Sequence, residues 1–205
     1  MPSQPPTIVV FDLGGVIVDW NPRYLLEKVI PEPVRLDRFL RDVLSTPFFH
    51  VLDKARDSRA AVAPAIAAFP EFAAEIAAYV DRFPETILGE IAPMAALALR
   101  LRDAGVPIYG LTNWAGDTYD RCRPHLPTLD AMRDIVVSGH EGIAKPDPAI
   151  FRLSCARGGF AAADAVFIDD NRVNAEAASA FGMRGVHHRA PDATIAALRA
   201  LGLPA

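Results

Sequence analysis

The chain has 205 residues, of which 51% are hydrophobic and 22% charged. That is enough apolar content to bury a core as one domain, or as one domain carrying a small insertion, and too much for a disordered protein. A formal net charge of -4 with no Lys/Arg run argues against a nucleic-acid partner.

Uninterrupted apolar stretches such as residues 8–11 and 16–18 are a few residues long, far short of the roughly 20 that a membrane span needs. The N-terminal Met-Pro-Ser-Gln-Pro-Pro has neither a basic nor an apolar signal region. The expectation is a cytoplasmic protein without a membrane partner. Cys122 and Cys155 form neither a metal-site spacing nor a Cys-x-x-Cys pair, so both are expected to be ordinary packed thiols.

Along the chain, Thr7-Ile-Val-Val-Phe-Asp12 is a β-branched run ending on an acid and followed by Gly14-Gly15, which predicts a buried strand with a polar tip. From about Pro22 to Ile87, Leu25, Leu26, Val29 and Ile30, then Phe39, Leu40, Val43 and Leu44, recur at helical spacing. Prolines at 22, 31, 33, 47, 64, 70 and 84 are expected to divide this region into short helices. No strand is expected within it.

After Gly89 the pattern alternates. Helices are predicted over 94–104, 117–126, 148–157, 174–181 and 192–201, and strands over 106–112, 135–138, 165–169 and 184–187. Strands separated by helices of about 10 residues predict an α/β fold with a parallel sheet covered on both faces. Ligands bind such sheets at the carboxyl ends of the strands.

Polar groups gather at those ends: Asp12 after the first strand, Thr112-Asn113 after the second, Lys145 in the loop after the third, Asp169-Asp170 after the fourth. Three carboxylates in one crevice raise one another's pKa unless a cation compensates. Hard oxygen donors, few in number and completed by phosphate, suit Mg²⁺. Lys145 adds a point charge for an acidic nucleophile and an anionic substrate, and Thr112 and Asn113 offer donors to phosphate oxygens. The constellation reads as phosphoryl transfer on a small phosphorylated substrate.

The runs Phe11-Asp12-Leu13-Gly14-Gly15-Val16, Leu111-Thr112-Asn113, Lys145-Pro146-Asp147-Pro148 and Phe167-Ile168-Asp169-Asp170-Asn171 occur in this order along essentially the whole chain. In these the sequence resembles the haloacid dehalogenase superfamily. The resemblance implies a Rossmann-like three-layer sandwich formed by residues 1–19 and 89–205, with a small α-helical cap over 20–88, in a monomer or homodimer.

It also implies that Asp12 attacks phosphorus to form an aspartyl-phosphate, with Lys145 paired to Asp12 and to the phosphate. Thr112 and Asn113 would bind the transferring group. Asp12, Asp170 and the Gly14 carbonyl would hold Mg²⁺, with Asp169 and Asn174 acting from behind these ligands. Arg23 is a candidate to reach a substrate phosphate or carboxylate, or else to salt-bridge locally.

Trp20 and Trp114 read either as pocket lining or as hinge packing. Asp19 reads as a cap for the first helix of the insertion, or else as an acid that serves the nucleophile if its segment folds inward, and His187-His188 as structural.

One position departs from the family pattern. Most phosphatases of the superfamily carry a second Asp two residues after the nucleophile as general acid and base, and here that residue is Gly14. A sugar-phosphate phosphatase tolerant of Gly, a 2-haloacid dehalogenase whose halide needs no proton, and a catalytically weakened binding protein all accommodate this. The intact Asp169-Asp170 pair favours the first: a Mg²⁺-dependent phosphatase acting on a sugar phosphate.

Overall fold

The computed structural model describes residues 5–44 and 46–205. Strand β1 (Ile8–Phe11) leads into β2 (Val18–Trp20) and five helices, α1 (Arg23–Val29), α2 (Pro33–Arg38), α3 (Thr46–Leu52), α4 (Ser58–Ala68) and α5 (Ala73–Asp81). The chain then forms β3 (Ile87–Glu90), α6 (Ala92–Asp103), β4 (Ile108–Thr112), α7 (Gly116–Cys122), β5 (Ile135–Val137) and α8 (Ser138–Glu141). It ends with α9 (Pro148–Gly158), β6 (Ala165–Asp169), α10 (Arg172–Phe181), β7 (Arg184–His187) and α11 (Pro191–Ala200).

All five expected strands join one sheet, ordered β5-β4-β1-β6-β7, and every pairing in it is parallel. In the centre Val9 stands opposite Ile108 on one side and Val166 on the other.

Alternate residues face opposite layers. Val9, Phe11, Ile108, Val166 and Ile168 pack with Met94, Leu97 and Leu101 of α6 and Leu198 of α11. Val10, Tyr109, Leu111 and Phe167 pack with Ile150 and Phe151 of α9 and Ala178 of α10. Burial on both faces explains why these strands are continuous apolar runs. From β1 the chain builds outward first through β4 and β5, then through β6 and β7. The β1–β6 seam is therefore the topological switch, where the carboxyl ends of the strands open a crevice.

The region between β2 and β3 is helical, as expected, and packs around Leu25, Leu26, Phe39, Phe72, Ile76 and Tyr79. Two details differ from the sequence reading. First, β2 and β3 form an antiparallel ribbon at the root of the insertion, with an irregularity between Asp19 and Trp20. Its strands lie more than sixty residues apart in sequence and share no turn, so no local signal announces the pairing. Second, Pro64 lies inside α4 rather than ending it. Both Pro64 and Ala60, whose carbonyl loses its helical partner, are exposed to water, and the Asp57 carboxylate secures the start of the helix by accepting from Arg59 and Ala60 N–H. Among the described residues no helix is long and apolar enough to cross a membrane.

The α3–α4 loop clasps the insertion onto the sheet. Gly116 N donates to the Ala55 carbonyl at 2.9 Å and Asp117 N to that of Arg56 at 3.2 Å. The Asp117 carboxylate accepts from Ser58 N at 2.9 Å and Ser58 Oγ at 2.7 Å. Ser138 Oγ donates to the Asp53 carbonyl.

Gly139 sits under this clasp: a Cβ there would come 2.6 Å from the Ala55 carbonyl and 2.7 Å from that of Trp114. Gly139→Ala is therefore expected to lower stability by about 1–3 kcal/mol, read as a fall in the urea midpoint with an unchanged slope.

Candidate active site

The site is built on strand tips. β1 ends at Phe11, so Asp12 emerges at the switch point with its carboxylate almost wholly buried. β6 delivers Asp169, fully buried, and then Asp170. One carboxylate oxygen from each of the three acids lies within 4.8 Å of the others.

Lys145, only 3% exposed, fills the space between them. Its Nζ lies 2.9 Å from Asp12 Oδ1 and 2.7 Å from Asp169 Oδ2, and donates to the Leu111 carbonyl at 3.0 Å. Burial works against the ammonium, but the Asp12 and Asp169 carboxylates outweigh it and hold the Lys145 pKa above its ordinary value.

Asp12 shows the converse balance. Burial and the neighbouring Asp169 push its pKa well up, with Lys145 pulling the other way and Asp170 adding to the rise. Asp170 is raised by burial and by Asp169. A divalent cation among these carboxylates would offset that excess of negative charge. Its donors are hard oxygens, the set that suits Mg²⁺. Gly15 leaves room for the arrangement: its φ is +70°, and a Cβ there would collide with the Asp170 carboxylate.

The supporting hydrogen bonds account for most of the other expected residues. Asp169 Oδ1 accepts from Asn171 N at 2.7 Å, and the Asn174 amide donates to both Asp169 oxygens at 3.3 and 3.1 Å. Asn174 thus stands behind the acidic pair, as expected. His187 Nε2 meets the Asp170 carbonyl at 3.0 Å, and His188 Nδ1 meets Thr194 Oγ1 at 2.7 Å, so both histidines brace the strand end. Thr112, nearly buried, lines the crevice, and no residue among those described takes up its hydroxyl.

One residue takes on a second role and two are placed differently from the sequence reading. Asn113 does line the cavity, but its amide is committed to the Lys145 backbone, donating to the carbonyl at 3.0 Å and accepting from the N–H at 2.8 Å. Its side chain pins the lysine loop and keeps a second amide hydrogen that faces no partner among the described residues. Arg23 does not reach the crevice, because Asp37 at 3.4 Å and Glu27 at 3.6 Å hold its guanidinium on the outside of the insertion. Asp19 accepts from the Tyr24 hydroxyl at 3.0 Å, and it is Asn21 that caps α1 through Arg23 N.

Above the carboxylates the crevice widens into a cavity of about 600 Å³ beneath the insertion. Trp20, Phe49, Leu52, Tyr79, Phe83 and Trp114 make most of its wall. Trp20 Nε1, Tyr79 Oη and Trp114 Nε1 are buried there without a hydrogen bond among the described residues, and burial keeps the Tyr79 phenol protonated.

Both tryptophans line the pocket and pack at once: Trp20 stands edge-on to Phe49 at 6.1 Å, and Trp114 edge-on to Tyr119 at 5.6 Å. Asp53 and His50 also reach the cavity. Sequence reasoning passed over both, and the one hint was an acid closing the aromatic run Phe48-Phe49-His50-Val51-Leu52.

Comparison with known proteins agrees with this fold. A sesquiterpene phosphatase of Aspergillus oryzae is 29% identical over 196 residues, spanning 94% of each chain. Among solved structures, a HAD-like family hydrolase of Porphyromonas gingivalis matches with a TM-score of 0.69 at 19% identity, over 95% of this chain and 98% of that one. A HAD family enzyme of Bacteroides thetaiotaomicron, solved with magnesium and inorganic phosphate, matches with a TM-score of 0.64 at 20% identity, over 90% and 95%. The family model for haloacid dehalogenase-like hydrolases matches residues 6–182, which contain every strand tip that builds the crevice. The chain therefore belongs to the haloacid dehalogenase-like hydrolases.

Proposed function

We propose that the protein hydrolyses phosphomonoesters of an apolar alcohol, with Asp12 as nucleophile and residues 20–88 acting as a cap over the crevice. The observation that carries this is one cavity with two unlike ends. Lys145, Thr112, Asp12 and Asp170 occupy its floor, with Asp169 buried behind them, and a largely aromatic wall rises above.

A sugar phosphate, the finer expectation from sequence, would bring several hydroxyl groups against Phe49, Leu52 and Phe83 and leave them without partners there. An isoprenoid-like chain fits that wall better, and the kinship to a sesquiterpene phosphatase points the same way. The Trp114 indole N–H, and the Tyr79 hydroxyl that faces the Trp20 indole, suit an oxygen function on the same molecule.

Lys145 and the Leu13 N–H, 2.7 Å away, hold Asp12 Oδ1, which leaves Oδ2 to attack phosphorus. Transfer to Asp12 followed by hydrolysis divides one difficult step into two easier ones. Thr112 would donate to the phosphoryl oxygens, and Lys145 would neutralise charge on nucleophile and phosphate alike. Asn113 fixes the lysine loop and would present its remaining amide hydrogen to the phosphate. Asp12, Asp170 and the Gly14 carbonyl would hold Mg²⁺, which supplies charge neutralisation to the phosphoryl group. The intact acidic pair favours this reading over halide displacement.

Asp12→Asn is expected to lower kcat by roughly 10⁴ or more, and EDTA to abolish turnover until Mg²⁺ is restored. Phosphate release from farnesyl phosphate and from glucose phosphates, with and without metal, checks both. The same panel ranks the substrates, and a preference for glucose phosphates would sink the apolar assignment. Phe49→Ala is expected to cut the preference in kcat/KM for farnesyl over ethyl phosphate by about tenfold, the loss of one apolar contact surface worth about 1.5 kcal/mol.

A further inference from the structure

An alkyl phosphate cannot leave readily as an alkoxide, so a phosphatase for such esters needs a proton donor beside the bridging oxygen. On the floor of the cavity every candidate is already committed. Asp12 is bound by Lys145 and reserved for phosphorus, and Asp169 is held by Lys145, Asn171 and Asn174. Asp170 belongs to the cation site, and Lys145 is locked between two carboxylates. Gly14 carries no side chain, although a Cβ there would meet nothing within 4 Å.

Resting on the phosphatase reading above, we propose that Asp53, delivered from the insertion, is the general acid and base of this site. Three observations place it. It lines the same cavity as Asp12, Thr112 and Lys145. Its backbone is fixed by the Ser138 hydroxyl at the start of α8, next to the Ala55, Arg56 and Ser58 clasp, so the position depends on the docked insertion. Its carboxylate has no hydrogen bond or ion pair to another described residue and is free to meet a ligand.

Burial lifts the Asp53 pKa to about 6, against the opposing pull of Lys145 across the cavity and Lys54 beside it. The Tyr79 phenol faces it from α5, and His50, Asp12 and Asp170 share the cavity. An acid of this pKa is present in both protonation states near neutrality, as a group that must first give and then take a proton requires.

In the first step Asp12 Oδ2 forms a bond to phosphorus as the bond from phosphorus to the ester oxygen breaks. The Asp53 carboxyl transfers its proton to that oxygen and releases the neutral alcohol. In the second step the Asp53 carboxylate takes a proton from water as the water oxygen bonds to phosphorus. The aspartyl–phosphorus bond breaks, returning the Asp12 carboxylate and inorganic phosphate. One water is consumed and Asp53 ends protonated, as it began.

The test compares Asp53→Asn, Asp53→Glu and His50→Gln in the full chain, using hexyl phosphate and 4-nitrophenyl phosphate. For Asp53→Asn, kcat/KM on hexyl phosphate is expected to fall about 10²–10³-fold. On the nitrophenyl ester, whose leaving group needs no proton, the fall is expected to stay within about tenfold, and that activity also certifies the fold. A stoichiometric burst of nitrophenol should appear, because the second step has lost its base. Asp53→Glu should recover part of the hexyl phosphate activity. The ratio of wild type to Asp53→Asn on hexyl phosphate should fall about tenfold per pH unit above about 6.

Equal losses on both esters would reduce Asp53 to a structural residue and overturn the proposal. So would a leaving-group-dependent loss in His50→Gln with none in Asp53→Asn. Absence of wild-type turnover on any phosphate ester would overturn the phosphatase reading itself, and this proposal with it.

Discussion

The ammonium of Lys145, buried between Asp12 and Asp169, is the interaction around which the crevice is organised. Desolvating three charged groups costs several kcal/mol per ion, and their mutual attraction offsets this only when the geometry is tight and the remaining lone pairs are bonded. The neighbouring residues meet that condition. Asn113 fixes the lysine backbone, Asn171 and Asn174 saturate Asp169, and the Leu13 N–H closes on Asp12. Lys145 thus ties the ends of β1, β4 and β6 together, since it also bonds the Leu111 carbonyl. Removing any one charge would leave the others buried and unpaired, which is why these residues form one unit rather than separate features.

That unit can exist only because the sheet is parallel and buried on both faces. With all carboxyl ends at one edge, polar residues distant in sequence meet, and the β1–β6 switch leaves an opening between them. The hydrophobic layers on either side make the crevice floor dry enough for Lys145 and Asp12 to act on each other strongly. The insertion then closes the opening with a wall of different chemistry. Apart from Ser58, its clasp uses main-chain carbonyls of Asp53, Ala55 and Arg56, so it constrains the backbone of that loop while leaving the Asp53 side chain unengaged.

Legibility in the sequence followed the range of the interactions. Asp12, Lys145, Asp169 and Asp170 could be read because each ends or follows a strand that declares itself by its apolar run, and parallel topology brings such ends together. Asn174 was readable by its fixed offset along a helix from Asp170. Asn113 and Arg23 show the limit. Residue type records a capacity to bond, and local partners claim part or all of it: the Lys145 backbone takes one amide hydrogen and the carbonyl oxygen of Asn113, and Asp37 holds Arg23. The β2–β3 ribbon and the reach of Asp53 into the cavity depend on how a segment of some sixty residues folds back onto the sheet. No periodicity or turn chemistry encodes that return.

The two ends of the cavity divide the work in a way that follows from their construction. On the phosphatase reading proposed above, the floor would recognise what every phosphomonoester shares, and its residues are so interlocked that altering one disturbs the rest. The wall comes mostly from the insertion, whose cavity-facing residues make no bond to the Lys145 unit, so substrate choice can drift while the chemistry is kept. If the proton donor also comes from that wall, the two functions are no longer fully separate. An ester that prevents the α3–α4 loop from docking would then be bound without being given the proton its alcohol needs, and selection would act on turnover as well as on binding.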